Sequence, residues 1–564
     1  MTDPRLTDPL HLPGDPGTHW STVNVGEALP GVATPLGWSI WSDVGDKMCR
    51  DLSYSIGVFD AQERRQPPPG PDRIITAFYG RIAMQMEWMA KFGDRVPGTD
   101  GAEAIAGLLG EAPPSMEFAP TRRRYPVIAY RMPTAAITST REVRRLAPVV
   151  DAWWRSEVTR LPGLDLPDSV AAFAEARDWF SRAMTAHGIA LLAAITPLIN
   201  ALDALVKRTG VGDVGVLSGT GGAEMTMVED IWRASREELT LEQVVASHGY
   251  HGPLEGEISS RVWREDPAPL ASMVRHYASR DESASPLARE REARAKAPVM
   301  RAELLAALPA VQRPPVRALL ALAARTVPLR GLGKASFLQA LDVARASARR
   351  VGEHQATAGR LADPDDVWYL TVDELLGGLP SHAKELVAYR RERRAEYQGL
   401  ALPSFWRGTP EPEVVAGRAA HIGTRGGTHR GAEGGADGGA EGGADGGSDG
   451  GADDAPISGI AAGSGVVEGL VRVVHDPDFG DVEPGEVLVA PTTDPSWASI
   501  MFVSAALVVD IGSVLSHAAV VARELGLPCV VNTRVGTRML RDGDLVRVDG
   551  TAGTVEILRR AGSN

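Results

Sequence analysis

Cysteine is almost absent: Cys49 and Cys529 are the only two in 564 residues. Two cysteines cannot build a disulfide framework, neither has the spacing of a metal site, and the expected compartment is the reducing cytoplasm. No signal peptide is expected either, because Met1 to Trp20 is rich in Asp, Pro and Gly and has no apolar core. Gly188 to Leu202, the longest uncharged apolar stretch, is short for a bilayer and contains Pro197, so it reads as a buried helix with no membrane role. No Gly-Lys-Ser/Thr phosphate loop occurs. Ser218-Gly219-Thr220-Gly221-Gly222 comes after a short apolar run but has the wrong glycine spacing for a P-loop or a dinucleotide fingerprint, and reads as a connecting turn.

Basic excess is lacking too. The formal charge is −13, and seven of the acids fall at positions 433, 437, 441, 445, 449, 453 and 454, leaving about −6 elsewhere. Nothing there favours nucleic acid, and Arg122-Arg123-Arg124 reads as a solvated loop. The clustered acids belong to a stretch from Gly423 to Asp454 that is nearly half glycine and repeats Gly-Gly-Ala-Asp/Glu. Glycine at that density defeats helix, so residues 409–455 are expected to be a flexible linker spanning on the order of 35 to 40 Å.

The chain's chemistry concentrates in the last hundred residues. Ala505 to Val509 is a valine-rich apolar run ending at Asp510, and Gly512-Ser513 supplies a turn. Ser516 then fits an N-cap, which puts His517 in the first turn of a helix that stops at Gly526 with Pro528 beyond. A helix start offers unpaired N–H groups and the positive end of the dipole to an anion. Neutral imidazole is a competent nucleophile near pH 7, so a histidine there can take and pass on a phosphoryl group. An isolated Ser-His would more often be structural.

The run Ser516-His517-Ala518-Ala519-Val520-Val521-Ala522-Arg523-Glu524-Leu525-Gly526-Leu527-Pro528 resembles the phosphohistidine signature of phosphoenolpyruvate-utilizing enzymes, among them phosphoenolpyruvate synthase, pyruvate phosphate dikinase and rifampicin phosphotransferase. The resemblance implies that His517 is transiently phosphorylated, with Ser516, Thr493, Arg523 and Gly512 as candidates for steadying the phosphate. Ile511 stands before Gly512 where the family usually pairs two glycines. Arg523 lies about 120° round the helix and about 9 Å along it from His517, so a salt bridge suits it at least as well.

Other stretches resemble the central region of rifampicin phosphotransferase-like proteins: Thr34-Pro35-Leu36, the loop His248-Gly249-Tyr250-His251-Gly252-Pro253-Leu254-Glu255-Gly256-Glu257, and Asp363 to Leu375. From the loop, His251, Glu257, Arg261 and Trp263 are the substrate-side candidates. Its histidines lack an i, i+4 pair, so no metal is assigned. Tyr79, Met84, Met86, Trp88 and Met89 recur at roughly helical spacing and read as core, or less often as the wall of an apolar pocket. Leu146 to Arg208 and Leu287 to Arg350 carry long helical patterns, the latter broken at Pro309, Pro314-Pro315 and Pro328. The charges of Asp363 to Leu375 read as caps and turns, and Arg390 to Arg394 as a solvated helix face.

The expected architecture is multidomain: a mostly α-helical substrate-binding-like region (1–408), the linker (409–455), and a swivelling β/β/α phosphohistidine domain (456–564). The ATP-grasp domain and pyruvate-binding barrel of the family are not found. The expected activity is a phosphotransferase component that passes a phosphoryl group through His517 to a small organic acceptor. ATP and Mg2+ would be bound by a separate ATP-grasp partner, and phosphoenolpyruvate is the alternative donor. A phosphocarrier or regulatory protein, and an inert binding module, are the readings from other classes.

Overall fold

The computed structural model describes residues 5–414 apart from 24, 30, 110–111, 212–222 and 280–284, and residues 456–562 apart from 476–481, 484, 494–496, 498–499, 502–503 and 513–515. The Ser218–Gly222 turn, and all of the expected linker except its first six residues, lie outside the described residues.

The first region is built on three long helices, Tyr125–Arg160, Leu166–Ala190 and Leu329–Thr357, packed against one another. Apolar residues recur every third or fourth position along the second, so Ala172, Phe173, Ala176 and Phe180 are buried in one stripe. That helix runs on through a π-helical turn, Leu191–Ile195, into Thr196–Thr209. Pro197 explains the wide turn, because its ring clashes with the carbonyl four residues back in a regular helix. Leu166–Thr209 is long and apolar enough to cross a bilayer by length and composition, with 39% of its most apolar window buried. Its first part, Leu166–Ala190, packs against Leu329–Thr357.

The prolines of the next region fall where expected. Pro309 and Pro328 separate helices, while Pro314-Pro315 open the helix Arg313–Thr326, where a missing N–H costs nothing. The charges of Asp363 to Leu375 form two capping boxes, Asp363 with Asp366 and Thr371 with Glu374.

Three expectations are corrected. Tyr79 to Met84 is not helical: Ile75–Phe78 and Arg81–Gln85 form an antiparallel hairpin, and only Met86–Arg95 is helix. Tyr79 and Gly80 both take positive φ, 49° and 71°, the twist a two-residue hairpin turn needs. Arg390 to Arg394 is solvated only in part: Arg391 and Glu392 are exposed, but Arg390 is 1% exposed and binds Thr7, Tyr369 and Glu374, while Arg394 binds the carbonyls of Val32 and Ala33. Arg124 likewise leaves the solvated run to bind the carbonyls of Gly57 and Phe59.

The C-terminal region is an eight-stranded sheet. Val466–Val473 is its hinge strand, pairing antiparallel with Leu545–Asp549 on one side and parallel with Val487–Ala490 on the other. The parallel wing continues through Ala506–Val509 to Cys529–Val531, and Ile460–Gly463 closes its edge antiparallel. The buried strands are near-continuous in Val, Leu and Ala, as a sheet covered on both faces requires. The crossover between Ala506–Val509 and Cys529–Val531 is the helix His517–Leu525.

The two regions share a core. Met225, Val228, Trp232, Trp263, Leu270 and Tyr277 belong to the same hydrophobic cluster as Leu507, Ala518, Ala519 and Val521. The helix Pro286–Ala306 lies against the helix His517–Leu525.

Candidate functional site

Parallel strands leave their carboxyl ends side by side, and a crossover helix then starts above them, which is where open α/β sheets bind ligands. That is the setting of His517. The N–H of Asp510 donates to the carbonyl of Ala490 (3.0 Å) and the N–H of Ile511 to that of Pro491 (2.9 Å), so the two chains stay paired beyond their strands. This brings the Pro491–Thr493 segment beside Asp510–Gly512. Thr493 is 4% exposed, and the hydroxyl of Thr492 is buried without a hydrogen-bond partner.

Ser516 caps the helix, its hydroxyl accepting from the N–H of Ala519 (3.3 Å), and Gly526 ends it in the left-handed conformation at φ 67°. Both ends were legible from residue type alone. The first turn, which begins at His517, leaves N–H groups without partners inside the helix. Gly512 sits in a close approach: a Cβ there would lie 3.1 Å from the Ser516 hydroxyl and 3.1 Å from the Val531 Cβ. Arg523 sits in the last turn of the helix. Its charge acts on Cys529, whose buried thiol is nevertheless pushed up to about 12.

Asp510, which sequence reasoning used only as a strand end, fixes the floor of this loop. It accepts from the Thr533 hydroxyl (2.7 Å), the Gly536 N–H (2.6 Å), the Thr537 N–H (3.1 Å) and the Thr537 hydroxyl. Four donors orient this carboxylate and tie the strand end to the 533–537 segment.

The 248–267 loop is tied into the helical core. His251 pairs with Glu255 and lies among the rings of Tyr250 and Trp263, at 4.3 and 5.7 Å. His248 pairs with Asp230 (2.9 Å), yet burial holds its imidazole below the usual histidine range. Glu257 accepts from the N–H and hydroxyl of Thr34 (3.1 and 2.7 Å) and from the N–H and hydroxyl of Ser259, both at 3.0 Å. Beneath the loop, Asp342 is fully buried and receives Arg264 (2.8 and 3.1 Å) and the Trp154 indole N–H (2.8 Å). Arg345, also buried, donates to the carbonyls of Glu255, Glu257 and Ile258.

Of the four substrate-side candidates, His251 and Glu257 are therefore buried in structural pairs and Arg261 is exposed. Trp263 lines a cavity of about 450 Å³, together with Trp154 and Arg155 from the Tyr125–Arg160 helix and Val245 from Leu241–His248. Sequence reasoning missed the cavity's far wall, since residues about a hundred positions apart carry no local sign of meeting. Among the described residues, no group of three or more His, Cys, Asp or Glu side chains could hold a metal.

Residues 482–553 match the family described as PEP-utilising enzyme, mobile domain, and residues 230–331 match the rifampicin phosphotransferase fourth domain. These two stretches are thus similar to parts of the PEP-utilising enzymes and of rifampicin phosphotransferase. An uncharacterized protein of Mycobacterium tuberculosis is 31% identical over 56% of this chain and 30% of its own length. The uncharacterized phosphotransferase YvkC of Bacillus subtilis is 33% identical over 39% of the chain and 24% of its own. Rifampicin phosphotransferase of Streptomyces sviceus is 33% identical over 36% and 20%. The chain thus spans less than a third of the length of these relatives.

Proposed function

We propose that this chain is a phosphotransferase component in which His517 carries a phosphoryl group to a hydroxyl of a small organic acceptor. The observation that carries the reading is the position of His517, first residue of a capped helix above the carboxyl ends of parallel strands, within the stretch similar to the mobile domain. In the first step an imidazole nitrogen attacks phosphorus and the donor's leaving group departs. In the second the acceptor oxygen attacks, the P–N bond breaks, and the hydroxyl proton ends on the released imidazole. Positioning and charge stabilisation supply the catalysis: first-turn N–H groups, with Ser516, Thr493 and the Gly512 loop, steady the phosphoryl oxygens. Arg523 has the lesser part, held at the far end of the helix.

Charging is assigned to a nucleotide-binding unit outside residues 1–564, taken as a separate ATP-grasp chain that binds ATP and Mg2+. The linker within 409–455 would let the His517 domain reach both stations. The experiment incubates the chain with labelled ATP and Mg2+, with and without an ATP-grasp partner, and separately with labelled phosphoenolpyruvate. Labelling that depends on the partner agrees with this reading. Efficient self-labelling from ATP contradicts the separate-chain part, and labelling from phosphoenolpyruvate alone reassigns the donor. A labelled chain that never discharges to any hydroxyl compound would be a phosphocarrier.

A further inference from the structure

We propose that Ser115, His19 and Glu87 form a second catalytic site, one that cleaves small activated carboxylic esters through an acyl-serine. It shares no residue with the phosphotransfer reading above.

The three groups are far apart in sequence, and the fold brings them into one line. Glu87 Oε1 lies 2.7 Å from His19 Nδ1, and the Ser115 hydroxyl lies 2.9 Å from His19 Nε2. Local structure explains the meeting. Trp20 pairs with Gln85 across the strands His19–Ser21 and Arg81–Gln85, and the helix Met86–Arg95 begins at the next residue, so Glu87 in its first turn comes beside His19. The segment carrying Ser115 is tied to the same helix. Near the helix end, the Asp94 carboxylate accepts from the Ala119 N–H (2.7 Å) and the Asp94 carbonyl from the Thr121 N–H (3.0 Å), while the Met116 N–H closes a turn on the Pro113 carbonyl (3.0 Å).

Hydrogen bonding sets the direction of proton flow. A carboxylate only accepts, so Nδ1 donates to Glu87, and the neutral ring keeps its lone pair on Nε2, where it accepts from the Ser115 hydroxyl. The base is held in one orientation. Glu87 Oε1 also accepts from the His19 backbone N–H (2.9 Å), and the Phe405 ring stacks on the imidazole at 5.5 Å and 12°. His19 is 3% exposed, whereas Ser115 is exposed, so the base is shielded and the nucleophile is open. Water could satisfy an exposed hydroxyl, so burial does not require its bond to His19. A nucleophile, a base and an orienting acid in hydrogen-bond contact are the parts of acyl-transfer catalysis.

In the first step Ser115 Oγ attacks the ester carbonyl carbon as its proton passes to His19 Nε2. The carbonyl oxygen becomes an oxyanion, for which the Ser115 N–H is available, since it has no acceptor among the described residues. The C–O bond to the alcohol then breaks, and the alcohol oxygen takes the proton from Nε2. Water next attacks the acyl-serine and gives its proton to Nε2. Ser115 Oγ leaves with that proton, and the carboxylic acid departs. The substrate class follows from exposure. A serine at the surface encloses little of its ligand, so positioning contributes little and the leaving group must be a good one, as in aryl esters.

The test is hydrolysis of p-nitrophenyl acetate by the full chain, together with labelling by phenylmethanesulfonyl fluoride read by peptide mass mapping. A burst of nitrophenol stoichiometric with the chain and a sulfonyl label on the Ser115 peptide are expected. Ser115→Ala, a change at an exposed position, should abolish both while the urea midpoint stays the same. His19→Gln should slow acylation about a hundredfold or more. Glu87→Gln acts through the base, so it should lower kcat about tenfold or more while KM stays within about twofold, and it carries the comparison where His19→Gln melts early. Absence of both burst and label, a burst that survives Ser115→Ala, a label elsewhere in place of Ser115, or unchanged kinetics in the folded Glu87→Gln variant overturns the proposal. No phosphoryl donor enters this measurement, so its failure leaves the phosphohistidine reading standing.

Discussion

Glu257 and Thr34 stand 223 residues apart, yet the Glu257 carboxylate receives both the N–H and the hydroxyl of Thr34. Thr34 is also the N-cap of the Pro35–Ser55 helix, accepting from the N–H of Gly37 (3.2 Å). One carboxylate therefore fixes the start of a helix and the 248–267 loop that walls the cavity. Gly37 fits the same contact closely, since a Cβ would meet the Glu257 oxygens at 3.0 Å.

Glu257→Ala is expected to destabilise the chain by about 1–3 kcal/mol, because it strands buried donors. Urea midpoints check this. Phosphorylation of the folded variant at low temperature should be near normal, which separates a structural role from contact with substrate.

Arg390→Met should cost about 3–5 kcal/mol, since it leaves Glu374 without its buried partner. Arg123→Ala, in an exposed position, should lie within about 0.5 kcal/mol of the parent. Equal losses in chemical denaturation would refute the contrast.

Much of the C-terminal region was legible in the sequence because its signals are local: the valine run of the strand, Ser516 as cap, Gly526 and Pro528 as stop. The hairpin at 75–85 was not. Ile75–Phe78 is buried on both faces and shows no alternation, and Tyr79 at positive φ is an uncommon turn residue that advertises nothing. Charged residues misled for another reason. The partners of Arg390 lie at Thr7, Tyr369 and Glu374, and only the fold brings them to one place. The candidate site divides the same way, with the His517 loop readable and the cavity not.

Cys49 and Cys529 are both buried, and burial pushes each thiol up to about 12. Neither should react with Ellman's reagent at pH 8 in the native chain, and both should react in denaturant. Rapid reaction of either in the folded protein would show that its enclosure is open.

His187 carries the pH prediction. Burial, with Arg330 and Lys334 adding to it, pushes its imidazole down to about 3, against 6.5 for the unperturbed ring. The unfolded chain then binds the proton first, so the stability gained from the neutral ring is complete above pH 6.5 and is lost progressively between 6.5 and 3. Moving from pH 7 to pH 5 should cost the native protein roughly 1–2 kcal/mol more than it costs His187→Leu. Parallel urea curves at the two pH values for both proteins would contradict it.

Ser516 separates capping from phosphate handling. Ser516→Ala removes the acceptor for the Ala519 N–H and should cost about 1 kcal/mol. Ser516→Asp keeps an N-cap, and so stability, but sets a negative charge beside the phosphoryl group. Labelling should therefore fall further in the aspartate variant than in the alanine one, although the alanine variant melts earlier.

The central claim is that His517 itself bears the phosphoryl group. The direct measurement is the site and chemistry of the label on the charged chain, read by acid and alkali stability and by peptide mapping in the native protein and in His517→Ala. An acid-labile, alkali-stable label on the peptide containing His517, lost in a variant with an unchanged melting curve, is the result expected. A label that persists in the folded variant, or one that survives acid, would contradict the account.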